Sequence, residues 1–250
     1  ITHALDYLIS YAKQKNIKKE FEDWKEETSK LKKEYAMKFN RHSKMIQQAE
    51  VMHTLNNYIK DNTIVSTGVG NHQMFAAQYL KMFNPKSFLT SGSFGTMGFS
   101  LPIAVGVQLA NKDSQVISID GDGSFMMNES ELHTIVRYSL PIKIIVLNNF
   151  RYGMVAGLQD QMYGKNNYAG SLLSNKNHFA NIAKAYGIKN SIRIKSKKEL
   201  PKAIENLLNS KNAGMLEIIV DPTEIVYPYV PAGRDYSEMV LGPYIGKIEY

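Results

Sequence analysis

Cysteine is absent from the 250 residues, which excludes a disulfide framework, a thiolate metal site and a cysteine nucleophile. Long apolar runs are missing as well. None approaches the roughly 20 residues of a membrane-spanning helix, and the start at Ile1 lacks a signal-peptide pattern. No membrane segment is therefore expected, and the sequence leaves the compartment open between cytoplasmic and organellar (plastid or mitochondrion). Long blocks of one charge are also lacking, although the net charge is +7. Residues 11–50 carry eleven Lys or Arg and seven Asp or Glu in mixed order, as in Lys18-Lys19-Glu20 and Lys25-Glu26-Glu27. That pattern predicts a solvated helical face and no nucleic-acid partner. What is present is ample apolar material: 44% hydrophobic against 21% charged residues allows a buried core and excludes a disordered or collagen-like chain.

Residues 1–60 are rich in Lys, Glu and Gln and poor in Gly and Pro, and Met45, Ala49, Met52, Leu55 and Ile59 recur at helical spacing. This part reads as helical. Its opening residues Ile1, Leu5, Leu8 and Ile9 sit inside an amphipathic pattern, as in a segment cut from something longer. From residue 61 short apolar runs alternate with Gly-containing turns and helical stretches. Strands are expected at Thr63–Ser66, Val116–Ile119, Ile142–Leu147, Ile188–Ile194 and Leu216–Val220. Helices are expected near Gln73–Phe83, Ser100–Ala110, Met127–Tyr138, His178–Tyr186 and Lys198–Asn209. The strands are nearly all apolar and β-branched, as strands buried on both faces are. The fold class is therefore α/β, a doubly wound, mostly parallel sheet with helices on both faces. The organisation is 1–60 helical, 61–225 the α/β domain and 226–250 an irregular tail rich in Tyr and Pro.

In such a sheet ligands bind beyond the carboxyl ends of the strands. Thr67-Gly68-Val69-Gly70-Asn71-His72 joins a strand to a helix, where free N–H groups can hold phosphate. Taken alone, this Gly-x-Gly is equally a turn, and it lacks the third glycine of a nicotinamide-dinucleotide fingerprint. Asp120-Gly121-Asp122-Gly123-Ser124 follows the next strand, and Asn148-Asn149 closes the one after, with Asn149 lying 27 residues beyond Asp122. One turn, one helix and one strand fill that interval, so a right-handed crossover returns Asn149 to the edge that carries Asp122. A carboxylate and a carboxamide are hard oxygen ligands. With water and phosphate oxygens they could complete the octahedron Mg²⁺ requires. Other polar residues carry no comparable pattern. His3, His42, His53 and His178 lack metal spacing, His133 falls on the exposed flank of a helix, and Ser124 has no nucleophile context.

Gly121-Asp122-Gly123 followed by Asn148-Asn149 resembles the thiamine diphosphate motif of pyruvate-decarboxylase-like enzymes. Gly70-Asn71-His72-Gln73-Met74-Phe75-Ala76-Ala77-Gln78, Thr90-Ser91-Gly92, Gly95-Thr96-Met97-Gly98-Phe99, Ser124-Phe125-Met126-Met127-Asn128 and Gly153-Met154-Val155 extend the likeness specifically to the catalytic subunits of acetolactate synthases, over about residues 60–240. The resemblance implies that Asp122, Asn149 and the Arg151 carbonyl ligate Mg²⁺, and that Gly70, Asn71, His72, Gly123 and Ser124 hold the diphosphate. It implies that Gly95 meets the aminopyrimidine through its backbone and that Met97, with Met154, positions the cofactor. It further implies a ylid that adds to a 2-ketoacid and accepts electrons as carbon dioxide leaves, with pyruvate or 2-ketobutyrate as second substrate. Asn71 stands where the family usually has Gln. Leu158 stands where it usually has a Trp tied to second-substrate preference and herbicide binding, so weak selection of 2-ketobutyrate and low sulfonylurea sensitivity are expected. By the same likeness, residues 1–60 correspond to the end of a central domain and its linker, with FAD held by the rest of that domain. The activating glutamate belongs to the amino-terminal domain of a partner subunit, so a dimer or higher assembly, with a possible regulatory subunit, is implied for the full-length protein, and the fragment alone should be inactive. The alternatives are another thiamine diphosphate 2-ketoacid decarboxylase, oxidase or carboligase, and a non-catalytic cofactor-binding or interaction module.

Overall fold

Apolar runs flanked by turns become six strands in the computed structural model, which describes residues 1–17, 21–174, 176–231, 233–243 and 245. In chain order the elements are α1 (Thr2–Gln14), α2 (Glu22–Glu34), α3 (Gln48–Leu55), β1 (Thr63–Thr67), α4 (Asn71–Tyr79), β2 (Phe88–Thr90), α5 (Ser100–Ala110), β3 (Gln115–Gly121), α6 (Asp122–Phe125), α7 (Glu131–Arg137), β4 (Lys143–Asn148), α8 (Gly153–Tyr163), α9 (Phe179–Tyr186), β5 (Asn190–Ile194), α10 (Leu200–Asn209) and β6 (Gly214–Ile219). Two compact units result: residues 1–38 with 243–250, and residues 39–242. In the first, neither α1 nor α2 has a buried residue: the mixed charges of α2 fit the solvated face expected of it, whereas α1 leaves Leu5, Leu8 and Ile9 of its amphipathic pattern exposed. Lys18, Lys19 and Glu20 lie outside the described residues.

The second unit carries an all-parallel sheet in the order β2-β1-β3-β4-β6-β5. Alternate residues of its central strand feed opposite faces. Ile145 and Leu147 of β4 join the core beneath α3, α4 and α10, whereas Ile144 and Val146 join the core beneath α5, α7 and α9. Every residue of β4 is buried, which is why its residues 144–147 read as an unbroken apolar run; Lys143 at its start is buried by donating to the Ser210 and Asn212 carbonyls. Each such aliphatic side chain contributes about 1.5–3 kcal/mol by leaving water. Among the described residues from Val226 onward, regular structure is confined to a 3₁₀ turn at Tyr236–Glu238 and isolated bridges such as Tyr229 with Val240, and Gln78 Nε2 donates to the Tyr227 carbonyl over 2.9 Å.

Some elements depart from the sequence reading. α4 starts at Asn71 and stops at Tyr79, short of Phe83, because Asn56 ends it: Asn56 Nδ2 donates to the Tyr79 carbonyl and Asn56 Oδ1 accepts from Lys81 N–H, both at 2.8 Å. The helix expected from Met127 begins at Glu131, since the Asn128 side chain instead donates to the Gly98 carbonyl over 2.9 Å. β2 and α8 were not anticipated. β2 has three residues at a sheet edge, and α8 buries only Ala156, so neither displays a periodic apolar pattern.

Candidate active site

The loops after β1, β3 and β4 start side by side, because Thr67 pairs with Ile119 and Gly121 with Leu147. β1 leads outward to β2 whereas β3 leads the other way to β4, so the connections part between β1 and β3 and leave a crevice at their carboxyl ends. A cavity of about 200 Å³ lies here. Gly70, Asn71, His72, Gly95, Met97, Asp122, Gly123, Ser124, Asn149, Arg151 and Met154 all line it. Of the site residues named from the sequence, Leu158 alone is not in the lining; it lies on α8 one turn beyond Met154 and is exposed. Val69, Gly121, Leu147, Tyr152, Gly153 and Val155 complete the local wall, and Gln48 enters from α3.

Each polar group is held from behind. Asp122 opens α6 and is buried, and its Oδ1 accepts the Gly123 N–H over 3.0 Å. Burial pushes its carboxyl up to about 7, against the lowering pull of the backbone N–H groups of Gly123, Phe150 and Arg151. A buried carboxyl without a cationic partner among the described residues is the environment a divalent ion would complete. Asn149 is buried, and its Oδ1 accepts the Arg151 N–H over 3.2 Å, while Asn148 Oδ1 accepts the Phe150 N–H at the same distance. These two bonds hold Phe150 in the left-handed region, at φ 58°. Gly153 must lack a side chain: a Cβ there would come within 2.7 Å of Asn71 Nδ2 and 2.9 Å of Asn149 Nδ2. Ser124 Oγ accepts the Gly98 N–H over 2.8 Å, joining the loop that carries Gly95 and Met97 to the start of α6.

Among the described residues no group of three His, Cys, Asp or Glu side chains could hold a metal. A cation at Asp122 and Asn149 therefore needs further oxygens, from backbone carbonyl, water and ligand, and Mg²⁺ is commonly bound by one or two carboxylates completed by phosphate and water. The anionic end of a diphosphate suits the amino end of α4, where Gly70 caps without a side-chain bond and the first N–H groups have no helical acceptor. The residues present thus fit a metal and diphosphate pair.

Residues 68–218 match the C-terminal TPP binding domain of the thiamine pyrophosphate enzymes. The chain belongs to that family of enzymes, as their cofactor-binding domain. Its similarity runs further, to acetolactate synthases. It is 38% identical over 218 residues to the isozyme 2 large subunit of Escherichia coli, covering 87% of this chain and 39% of that protein. It is 37% identical over 239 residues to the chloroplastic acetolactate synthase 1 of Nicotiana tabacum, covering 93% of this chain and 36% of the relative. It is 36% identical over 246 residues to the mitochondrial acetolactate synthase of Schizosaccharomyces pombe, covering 96% and 36%. The chain spans less than two fifths of the length of these relatives. No helix among the described residues is long and apolar enough to cross a membrane.

Gln48 and Tyr152 are the lining residues that sequence reasoning missed. Tyr152 sits beside the recognised turn. Gln48 lies 74 positions before Asp122, outside any motif, and had no sequence signal.

Proposed function

We infer that this chain is the cofactor-holding part of a Mg²⁺-dependent acetolactate synthase, which condenses two 2-ketoacids with loss of carbon dioxide, in branched-chain amino-acid biosynthesis. The observation that carries this reading is the meeting of Asp122 and Asn149, from adjacent strand ends, with the amino end of α4 in one cavity. Asp122, Asn149 and the Arg151 carbonyl hold the metal. Gly70, Asn71, His72, Gly123 and Ser124 hold the diphosphate, and Gly95 faces the aminopyrimidine. Met97 and Met154 offer long apolar side chains that support a ring without adding a proton donor. When bound, thiamine diphosphate supplies the nucleophilic carbon and electron sink that 2-ketoacid decarboxylation needs. The chain's part is to orient that cofactor and to exclude water from it.

The substrates are pyruvate with a second pyruvate or 2-ketobutyrate, and Leu158 stands where the second substrate is selected. Met154, Val155, Leu158, Met162 and Tyr163 expose apolar surface along α8 beside the cavity, which supports a partner subunit covering the site in a dimer or higher assembly. FAD in a preceding central domain and a regulatory subunit complete the proposed full-length enzyme. These 250 residues by themselves bind the cofactor and do not turn over.

Calorimetric titration with thiamine diphosphate, with and without Mg²⁺, tests the site. Metal-dependent binding that Asp122→Ala abolishes is the expected result, together with 2-acetolactate formation by the full-length protein and none by the isolated chain. Metal-independent binding, or turnover by the isolated chain, overturns the corresponding part of the reading.

A further inference from the structure

We propose that Gln48 is a diphosphate ligand: its side-chain Nε2 donates a hydrogen bond to a non-bridging oxygen of the cofactor's diphosphate, an inference that rests on the thiamine diphosphate reading of the cavity. Gln48 lines that cavity and is 2% exposed. Its Nε2 is buried and has no hydrogen-bond partner among the described residues. A buried amide donor without an acceptor destabilises the fold, so a native structure that keeps one beside a cavity keeps it for something the cavity receives.

The position of Gln48 decides which part of the ligand it reaches. Its backbone N–H donates to Glu224 Oε2 over 2.5 Å, and the preceding Gln47 Nε2 donates to Asp221 Oδ2 over 2.9 Å. Ile46 bridges Val220, whose N–H in turn donates to the Asn148 carbonyl over 3.0 Å. The start of α3 is thereby fastened to the end of β6, and through it to the turn that carries Asn149 and Arg151. Gly95 and Met97 arrive from the loop after β2, on the other side of β1 and β3 in the sheet order. Gln48 therefore faces the metal and diphosphate end of the cavity, away from the end that would take the aminopyrimidine. An amide N–H₂ cannot ligate a cation, and a thiazolium ring offers it no charged acceptor. A diphosphate oxygen does, and a bond to a charged acceptor is among the stronger hydrogen bonds available.

Gln48→Met removes the donor at nearly constant volume, and Gln48→Glu replaces it with a negative charge. Both are compared with the wild type in the full-length protein by calorimetric titration with Mg²⁺-thiamine diphosphate and with Mg²⁺-pyrophosphate, alongside thermal melts without ligand. Gln48→Met should weaken both ligands about tenfold or more, and Gln48→Glu should weaken them further. The ligand-free melting temperature of Gln48→Met should be unchanged or raised, because an unpaired amide has been removed. Wild-type binding with unchanged affinity in Gln48→Met overturns the contact alone, as does a loss confined to thiamine diphosphate with pyrophosphate unaffected. A lowered ligand-free melting temperature with equally weakened binding assigns the residue a structural role and also overturns it. Failure of the wild type to bind either ligand removes the cofactor reading and the contact together.

Discussion

Asn148 Nδ2 donates to Glu217 Oε1 over 2.8 Å, which ties the turn bearing Asn149 to the neighbouring strand β6. Glu217 is fully buried and also accepts from Arg193 Nη2 at 2.6 Å and from the Ala180 N–H at 3.1 Å. The turn that bears the candidate metal ligand thus rests on a buried carboxylate that two other elements, β5 and α9, also use. Removing that carboxylate leaves the Arg193 guanidinium with the Asn177 carbonyl but no counter-charge, so Glu217→Ala should cost about 3–5 kcal/mol in urea unfolding. Asn148→Ala should cost about 1–3 kcal/mol and should lower Mg²⁺ affinity in calorimetry, because Phe150 N–H loses the Asn148 acceptor, the tie to Glu217 is gone and the turn loosens. Unchanged Mg²⁺ affinity in Asn148→Ala would show that the turn holds its shape without this anchor.

Gly68, just after β1, lies against the end of β3 and α6. A Cβ there would fall 1.9 Å from Asp120 Oδ1 and 2.3 Å from Ser124 Oγ. Both side chains are buried, Asp120 Oδ1 also accepts the Gly121 N–H over 3.1 Å, and Ser124 Oγ holds the Gly98 loop. Neither can step aside freely, so Gly68→Ala should destabilise by about 1–3 kcal/mol as an overpacked site and weaken cofactor binding. Denaturant unfolding and calorimetry read the two effects. Wild-type stability in this variant would mean that the Asp120 and Ser124 side chains are free to move.

Glu224 caps the start of α3, accepting N–H groups from Gln48 at 2.5 Å and Ala49 at 3.3 Å. Burial pushes its carboxyl from 4.5 up to about 8, with Asp221 and Glu50 pushing the same way and the two N–H bonds opposing. The folded state therefore holds this proton more tightly than the unfolded chain does. The resulting stabilisation is complete below the unfolded value of 4.5 and is lost as pH rises through about 8. Urea unfolding across that window should show falling stability, and Glu224→Gln should flatten the dependence. A slope identical to wild type in the variant would assign the pH dependence to other groups.

Leu158 follows Met154 by one helical turn on α8, so the two side chains share a face. Both are substantially exposed, at 54% and 45%. Leu158→Trp in the full-length protein should raise the ratio of 2-aceto-2-hydroxybutyrate to 2-acetolactate in competition assays and increase sulfonylurea inhibition. If product ratios and inhibition stay unchanged, position 158 does not select the second substrate.

The strands and the motif residues were legible in the sequence because both are local. A strand buried on two faces must be apolar along its length, as Ile144-Ile145-Val146-Leu147 is. A ligand site at a strand end places its residues in the turn that follows, as Asp122 and Asn149 are. β2 and α8 were not legible, because a three-residue edge strand and a largely exposed helix impose no pattern on their residues. The sequence by itself determined which turns carry the chemistry, since each is a strand, a turn and a helix within one short stretch. Only the tertiary structure decided how those turns meet and what stands behind them. The insertion of β6 between β4 and β5 brings Glu217 to Asn148, 69 residues earlier, and the fastening of α3 to β6 turns Gln48 toward the cavity. Side-chain periodicity reports the burial of one element, whereas these contacts depend on the order in which strands pack.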